Sequence, residues 1–199
     1  FEEYLARVGS KEAGEILLDR LAVERHPFAL GNVVLALGFV LRNRPADEEI
    51  RKALEEAMFN RAHAEVRAFS ALAWAVSHHV SRFDMIGTLA AVDRDPRVRA
   101  AAALALGIAN HESSIFALRR ALAVKAYKQI REYGCYGMGV LKDDSALGDL
   151  VERLKDTDID VRMAASISLG ALRVPGGNGP VKPLAESDAS TDVRRVASI

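Results

Sequence analysis

The chain has 199 residues, of which 50% are hydrophobic but only 6% aromatic. Alanine and leucine therefore carry the apolar content, which suits closely packed helices better than a β-sandwich. Lys plus Arg and Asp plus Glu both number 27, so no global pull toward nucleic acid or an anionic membrane is expected. A single cysteine, Cys135, excludes an internal disulfide and a cysteine-based zinc site. The apolar stretches 28–41 and 100–109 are too short to span a bilayer.

In chain order, Phe1–Val8 reads as the tail of a helix, and an amphipathic segment follows at Ile16–Leu21. Pro27 precedes a worn copy of a short template, Val-Arg-x-x-Ala-x-x-Ala-Leu-Gly. That copy starts at Ala29 and keeps Val33, Ala36, Leu37 and Gly38. A polar loop over 42–47 leads to the amphipathic segment Ile50–Leu54. The next copy is Val66-Arg67 with Ser70, Ala73 and Ala75, and Trp74 stands in the leucine place. The clearest copy, introduced by Pro96, is Val98-Arg99 with Ala102, Ala105, Leu106 and Gly107. Ile115–Leu122 is again amphipathic, and Ile130-Arg131 follows with Gly134, Gly137, Met138 and Gly139. After Leu147–Leu154 comes Val161-Arg162 with Ala165, Ser168, Leu169 and Gly170. The segment 175–180, rich in Gly and Pro, cannot be helix and links to a short helix near Val181–Glu186. The chain ends inside another copy, Val193-Arg194 with Ala197.

The copies start at 29, 66, 98, 130, 161 and 193, in steps of 37, 32, 32, 31 and 32. A nearly constant step marks a repeat architecture. Template positions 0, 4, 7 and 8 share one face of a helix at 100° per residue. Each repeat is then a hairpin of one amphipathic and one template helix, about eleven helices in antiparallel pairs and no sheet. Val66, Val98, Ile130, Val161, Leu106, Met138 and Leu169 are predicted to be buried, with Trp74 in the equivalent slot.

The runs Asp93-Arg94-Asp95-Pro96-Arg97-Val98-Arg99 through Gly107, and Asp156-Thr157-Asp158-Ile159-Asp160-Val161-Arg162 through Gly170, resemble HEAT-like repeats. The likeness is to the short kind found in phycobilin lyase subunits and in many bacterial and archaeal scaffold proteins. Tetratricopeptide and ankyrin signatures are missing. The resemblance covers nearly the whole chain. It implies an all-α, right-handed superhelix of armadillo type, with amphipathic helices outside and template helices lining the concave side. Residues 1–199 are expected to form one solenoid of about five hairpins with partial repeats at both ends, a piece of a longer cytoplasmic chain.

The recurrent arginines Arg67, Arg99, Arg131, Arg162 and Arg194 sit at one template position beside acidic turns. They read as structural, bonding turn carboxylates and carbonyls, rather than as an anion-binding row. Asp93, Asp95, Asp156 and Asp158 are the acids in reach, and Arg131, with no acid before it, must borrow a partner from a neighbouring repeat or use carbonyls. His79 and His111 occupy equivalent positions on adjacent helices, about 8–10 Å apart, too far for one metal ion. No metal, cofactor or catalytic residue is expected. The iron enzyme deoxyhypusine hydroxylase carries His-Glu pairs inside HEAT-like helices, but His111-Glu112 follows a template here. The glycines around Cys135 fill template positions and lack the Gly-Lys-Ser/Thr ending of a phosphate loop; Cys135 reads as structural.

The function expected is a scaffold binding a peptide or helix of a partner protein on the concave face. The alternative is a lyase or chaperone subunit handling a bilin or other prosthetic group. Nucleic-acid binding, as in HEAT-like DNA glycosylases, ranks third because the non-core template positions are nearly uncharged. Positions 2, 5 and 9 are expected to point away from the core. On that register Ala71, Ala103, Cys135 and Ser166 floor the groove, with Glu132 and Met163 toward its polar end; the competing reading is that curvature crowds these positions. Val193, Val196 and Ile199 belong to an unfinished, uncapped helix, for which fraying or an end-to-end contact in a crystal or oligomer is expected.

Overall fold

The computed structural model describes residues 10–60, 62–79, 83–111, 113–123, 127–172 and 179–198. The helix expected over Phe1–Val8, Glu112, Ile199 and most of the 175–180 link lie outside them. Among the described residues there are twelve α-helices and one 3-10 turn, and no strand. The helices are α1 (Lys11–Val23), α2 (Pro27–Asn43), α3 (Glu48–Met58), α4 (Ala64–Ser77), α5 (Phe83–Val92) and α6 (Pro96–Ala109). They continue as α7 (Ser114–Ala123), α8 (Lys128–Leu141), α9 (Leu147–Arg153), α10 (Ile159–Leu172), α11 (Lys182–Ser187) and α12 (Thr191–Ala197). The even-numbered helices carry the template.

Local chemistry sets the helix ends. Pro27 and Pro96 open α2 and α6, where a missing N–H costs nothing. Ser10 and Asp47 cap α1 and α3 by accepting from the N–H of Ala13 and Ile50, at 3.1 and 3.2 Å. α2 runs to Asn43, into the polar loop expected over 42–47. At their other ends α4, α6 and α8 stop on a left-handed residue at one template position: His78, Asn110 and Lys142, with φ of 54°, 48° and 54°. Asparagine adopts that conformation readily; histidine and lysine do so at a cost.

Each template helix packs on the amphipathic helix before it and on the template helices of the neighbouring repeats, α2 on α4, α4 on α6, and so on to α12. Val66, Val98, Ile130, Val161, Leu106, Met138 and Leu169 are all buried, and Trp74 fills the leucine slot. Most contact between repeats runs through the template layer. Small residues cause this. A Cβ on Gly107 would lie 2.6 Å from the Gly137 Cα, and one on Gly38 would lie 2.6 Å from the Ala73 Cα. Template backbones therefore touch, whereas the bulkier amphipathic helices stand further apart, and the stack is an all-α solenoid. Among the described residues, no helix is long and apolar enough to cross a membrane.

Candidate functional site

The arginine row forms a clamp that repeats with the fold. Arg67 donates through Nε and Nη2 to both carboxylate oxygens of Asp93, at 2.8 and 2.9 Å. Arg131 holds Asp156 and Arg162 holds Asp188 in the same two-pronged way, at the same distances. Each acid lies 25 or 26 residues further on, in the turn before the next template helix. Arg131 thus draws its partner from the following repeat. Each acid also accepts the backbone N–H two residues on, from Asp95, Asp158 and Ser190, at 2.8, 2.9 and 2.8 Å.

A second arginine grips each turn from its other side. Arg99 donates to the carbonyl of Asp93, Arg162 to that of Asp156 and Arg194 to that of Asp188. Arg67 does the same to Asn60 at 2.8 Å. Asn60 stands in the aspartate's place, and the worn template before it has no arginine to pair. The clamps therefore join carboxylates to guanidiniums in a water-poor setting: Arg67 and Asp93 are each 7% exposed. Burial pushes the Asp93 carboxyl up, but the Arg67 hydrogen bonds, the Asp95 N–H and the Arg67 charge together hold it below the usual carboxylate range. Asp156 is lowered by the same balance with Arg131, and Asp188 chiefly by its Arg162 hydrogen bonds.

The groove expected at template positions 2, 5 and 9 is corrected by burial. Ala71, Ala103 and Cys135 are completely buried, so they cannot floor an open surface. Positions 5 and 9 face the neighbouring template helix, because each such helix is covered on two flanks as well as from behind. Ser166 is nearly buried; with Gly170 it edges a pocket of about 600 Å³ between α10, α11 and α12. Glu132 and Met163 are half-buried. Burial, and then the Asp160 charge, push the Glu132 carboxyl above its usual range, against Lys128.

The open face is a narrow stripe at positions 3, 6 and 10, which fall within about 60° of one another, except on α10, where position 3 is the buried Ala164. On α2 it carries Leu35 and Phe39, on α4 Phe69 and Leu72, and on α6 Leu104 and Ile108, all partly or well exposed. On α8 it carries Tyr133, Tyr136 and Val140, and on α10 Ile167 and Ala171. None of these is charged. Phe39, Val140 and Ile167 are 41%, 49% and 47% exposed, and the Tyr133 and Tyr136 rings meet edge to face at 6.2 Å. Charges return at position −1, where Arg97 pairs with Glu65 at 3.0 Å and Asp160 with the neighbouring Lys128 at 2.6 Å. Sequence reasoning missed this stripe by one position, although the apolar column Leu35, Leu72, Leu104, Tyr136 and Ile167 recurs in register.

The remaining reactive groups are packed. Burial pushes the Cys135 thiol up to about 12, so at neutral pH it stays protonated inside the stack, away from solvent. His111 stacks on Phe83 with ring centres 4.2 Å apart, and His79 meets Trp74 edge-on at 5.9 Å. With His78 they enclose a cavity of about 10 Å³, room for one water at most. Among the described residues no three His, Cys, Asp or Glu side chains are grouped as a metal ion requires.

No family model matches the sequence, and no curated protein matches it. Among solved structures, the chain is similar to the complex of CpcE and CpcF of phycocyanin lyase from Nostoc sp. PCC7120. The two share 20% identity with a TM-score of 0.45, over 95% of this chain and 98% of that one.

Proposed function

We propose that the protein is an interaction scaffold that takes an amphipathic helix of a protein partner along the stripe at template positions 3, 6 and 10. The observation that carries this reading is an uncharged, partly exposed apolar column on consecutive template helices from Leu35 to Ile167. Solvated apolar surface of that continuity is unfavourable unless something covers it. The rows are spaced by the packing distance of helices, about 8–10 Å, and a partner helix offering residues at i, i+3, i+4 and i+7 meets such rows. The pairs Glu65–Arg97 and Lys128–Asp160 edge the stripe with both signs of charge, which suits a partner of mixed charge.

The test is capture from the source organism with the wild-type chain and with Tyr136→Glu and Ile167→Glu, both on the open stripe. A partner held by the wild type, lost by both variants and crosslinked from position 136 supports the reading. Capture that survives both, yet is lost on Phe116→Glu in α7, moves the site to the outer helices. A second reading is a lyase or chaperone subunit that handles a bilin or similar group. It is favoured by the edge-to-face Tyr133–Tyr136 pair on the open stripe beside Glu132, an aromatic and polar grouping of the kind a prosthetic group would meet. A shift in bilin absorbance on mixing, abolished by Tyr136→Ala, would support it.

A further inference from the structure

The template helices contain four acids: Glu65 in α4, Glu132 in α8, Asp160 in α10 and Asp192 in α12. Three of them hold a cation. Arg97 reaches Glu65 at 3.0 Å, Lys128 reaches Asp160 at 2.6 Å and Arg195 reaches Asp192 at 3.2 Å. Glu132 makes no hydrogen bond and no ion pair of that kind with any described residue. Lys128, one turn before it, is drawn to the other side, with Asp158 at 3.8 Å as its second contact. The Glu132 carboxylate is nevertheless half-buried. Burial and the Asp160 charge both work against its ionised form, and a cation placed beside it would offset both.

The same helix departs from its sisters next to that acid. Template position 2 carries Gly31, Ala68 and Ala100, then Glu132, then Met163. Position 6 carries Leu35, Leu72 and Leu104, then Tyr136, then Ile167. Glu132 and Tyr136 are four residues apart, so they stand side by side on α8 with about 5–6 Å between Cβ atoms. The Tyr133 ring, 37% exposed, meets that of Tyr136 edge to face at 6.2 Å. A carboxylate without a cation thus borders two phenol rings on the open stripe. On α4 the comparable acid, Glu65, lies one turn from Phe69, whose ring meets Phe28 at 5.6 Å, and there the chain itself supplies an arginine.

We propose that Glu132, Tyr133 and Tyr136 form the seat for one arginine side chain of the partner, its guanidinium held between the carboxylate and the phenol rings. Charge complementarity sets the ligand: Glu132, Asp158 and Asp160 share this flank with one cation, Lys128. Arginine suits it better than lysine, because a planar guanidinium stacks on an aromatic face while its N–H groups meet a carboxylate. The proposal rests on the scaffold reading for the helix that carries the arginine, and it fixes where along the stripe that residue falls. The competing account is that water alone serves the Glu132 carboxylate and nothing binds.

The experiment follows the Glu132 carboxyl and the Tyr133 and Tyr136 ring signals of the full chain, labelled with ¹³C. The probes are N-acetylargininamide and its uncharged citrulline analogue, at constant ionic strength. The arginine amide is expected to shift all three signals saturably and the citrulline amide to leave them in place. Glu132→Gln should abolish the response, and Tyr136→Leu, which restores the residue of the sister helices, should weaken it about threefold or more. Two model amphipathic helices, alike except for a central arginine or citrulline, separate this proposal from the scaffold reading. The arginine helix should bind about tenfold more tightly, an advantage lost in Glu132→Gln. If neither helix binds while the arginine amide does, the scaffold reading fails and the seat stands. If both helices bind equally well, the scaffold reading stands and the seat is overturned. The seat is also overturned if the arginine amide moves none of the signals, if the citrulline amide moves them as far, or if the response survives Glu132→Gln.

Discussion

Replacing Gly107 by alanine tests whether backbone contact between template helices holds the stack together. An alanine Cβ there would stand 2.6 Å from the Cα and 2.7 Å from the carbonyl carbon of Gly137 in α8. Carbon atoms in contact ordinarily sit about 3.5–4.0 Å apart, so α6 and α8 must part by about 1 Å. Neither neighbour is a side chain that can rotate away. α8 is also held from its own side, since a Cβ on Gly137 would lie 2.6 Å from the Ala103 carbonyl oxygen. Overpacking of this kind costs about 1–3 kcal/mol, while alanine's better helix propensity returns about 1 kcal/mol. The net expectation is a loss of up to about 2 kcal/mol, or up to about 8 °C in Tm for a chain of this size. Gly170→Ala is the control: its Cβ would meet nothing within 4 Å, so about 0.5–1 kcal/mol should be gained. Urea and thermal unfolding measure both, and amide exchange should quicken across α6 and α8 in Gly107→Ala only. A Gly107→Ala protein as stable as the Gly170→Ala protein would refute the close-contact account.

Asp93→Ala strands Arg67, which is 6% exposed, and should cost about 3–5 kcal/mol in urea unfolding; a loss below about 1 kcal/mol would mean the clamp is ornamental. Because the folded Asp93, Asp156 and Asp188 carboxyls lie below the ordinary 3.8, their stabilisation is complete above that pH and is lost as pH falls through their lower folded values. Unfolding followed below about pH 4 should show this slope, reduced in Asp93→Ala. Cys135 acts in the opposite direction: the unfolded thiol ionises from about 9 and the folded one only near 12, so stability should fall as pH rises between them. The same thiol should resist alkylation at neutral pH until urea unfolds the chain, and fast labelling of the native protein would contradict its burial.

The repeat was legible in the sequence because a 32-residue step brings the same residue types back to the same neighbours. The buried positions Val66, Val98, Ile130 and Val161, and Trp74 in a leucine slot, follow from helical spacing alone, since one face of each helix must meet its hairpin partner. That Arg131 takes its carboxylate from the following repeat was expected only because no acid precedes it, yet Arg67 and Arg162 reach forward in the same way, so the direction of the clamp was set by packing between repeats. Which face stays open was not legible. Spacing identifies the side turned toward one neighbour, but a template helix has three, and two of them are helices 32 residues away on either side. Contact with those flanks buries Ala71, Ala103 and Cys135 and leaves the stripe through Phe39, Tyr136 and Ile167 in solvent. The left-handed ends at His78 and Lys142 were equally hidden, since neither residue signals that conformation. Periodicity along the chain determined the hairpins and their order; the close approach of glycine-lined backbones between repeats decided what the protein presents to a partner, because that distance is set by packing in three dimensions.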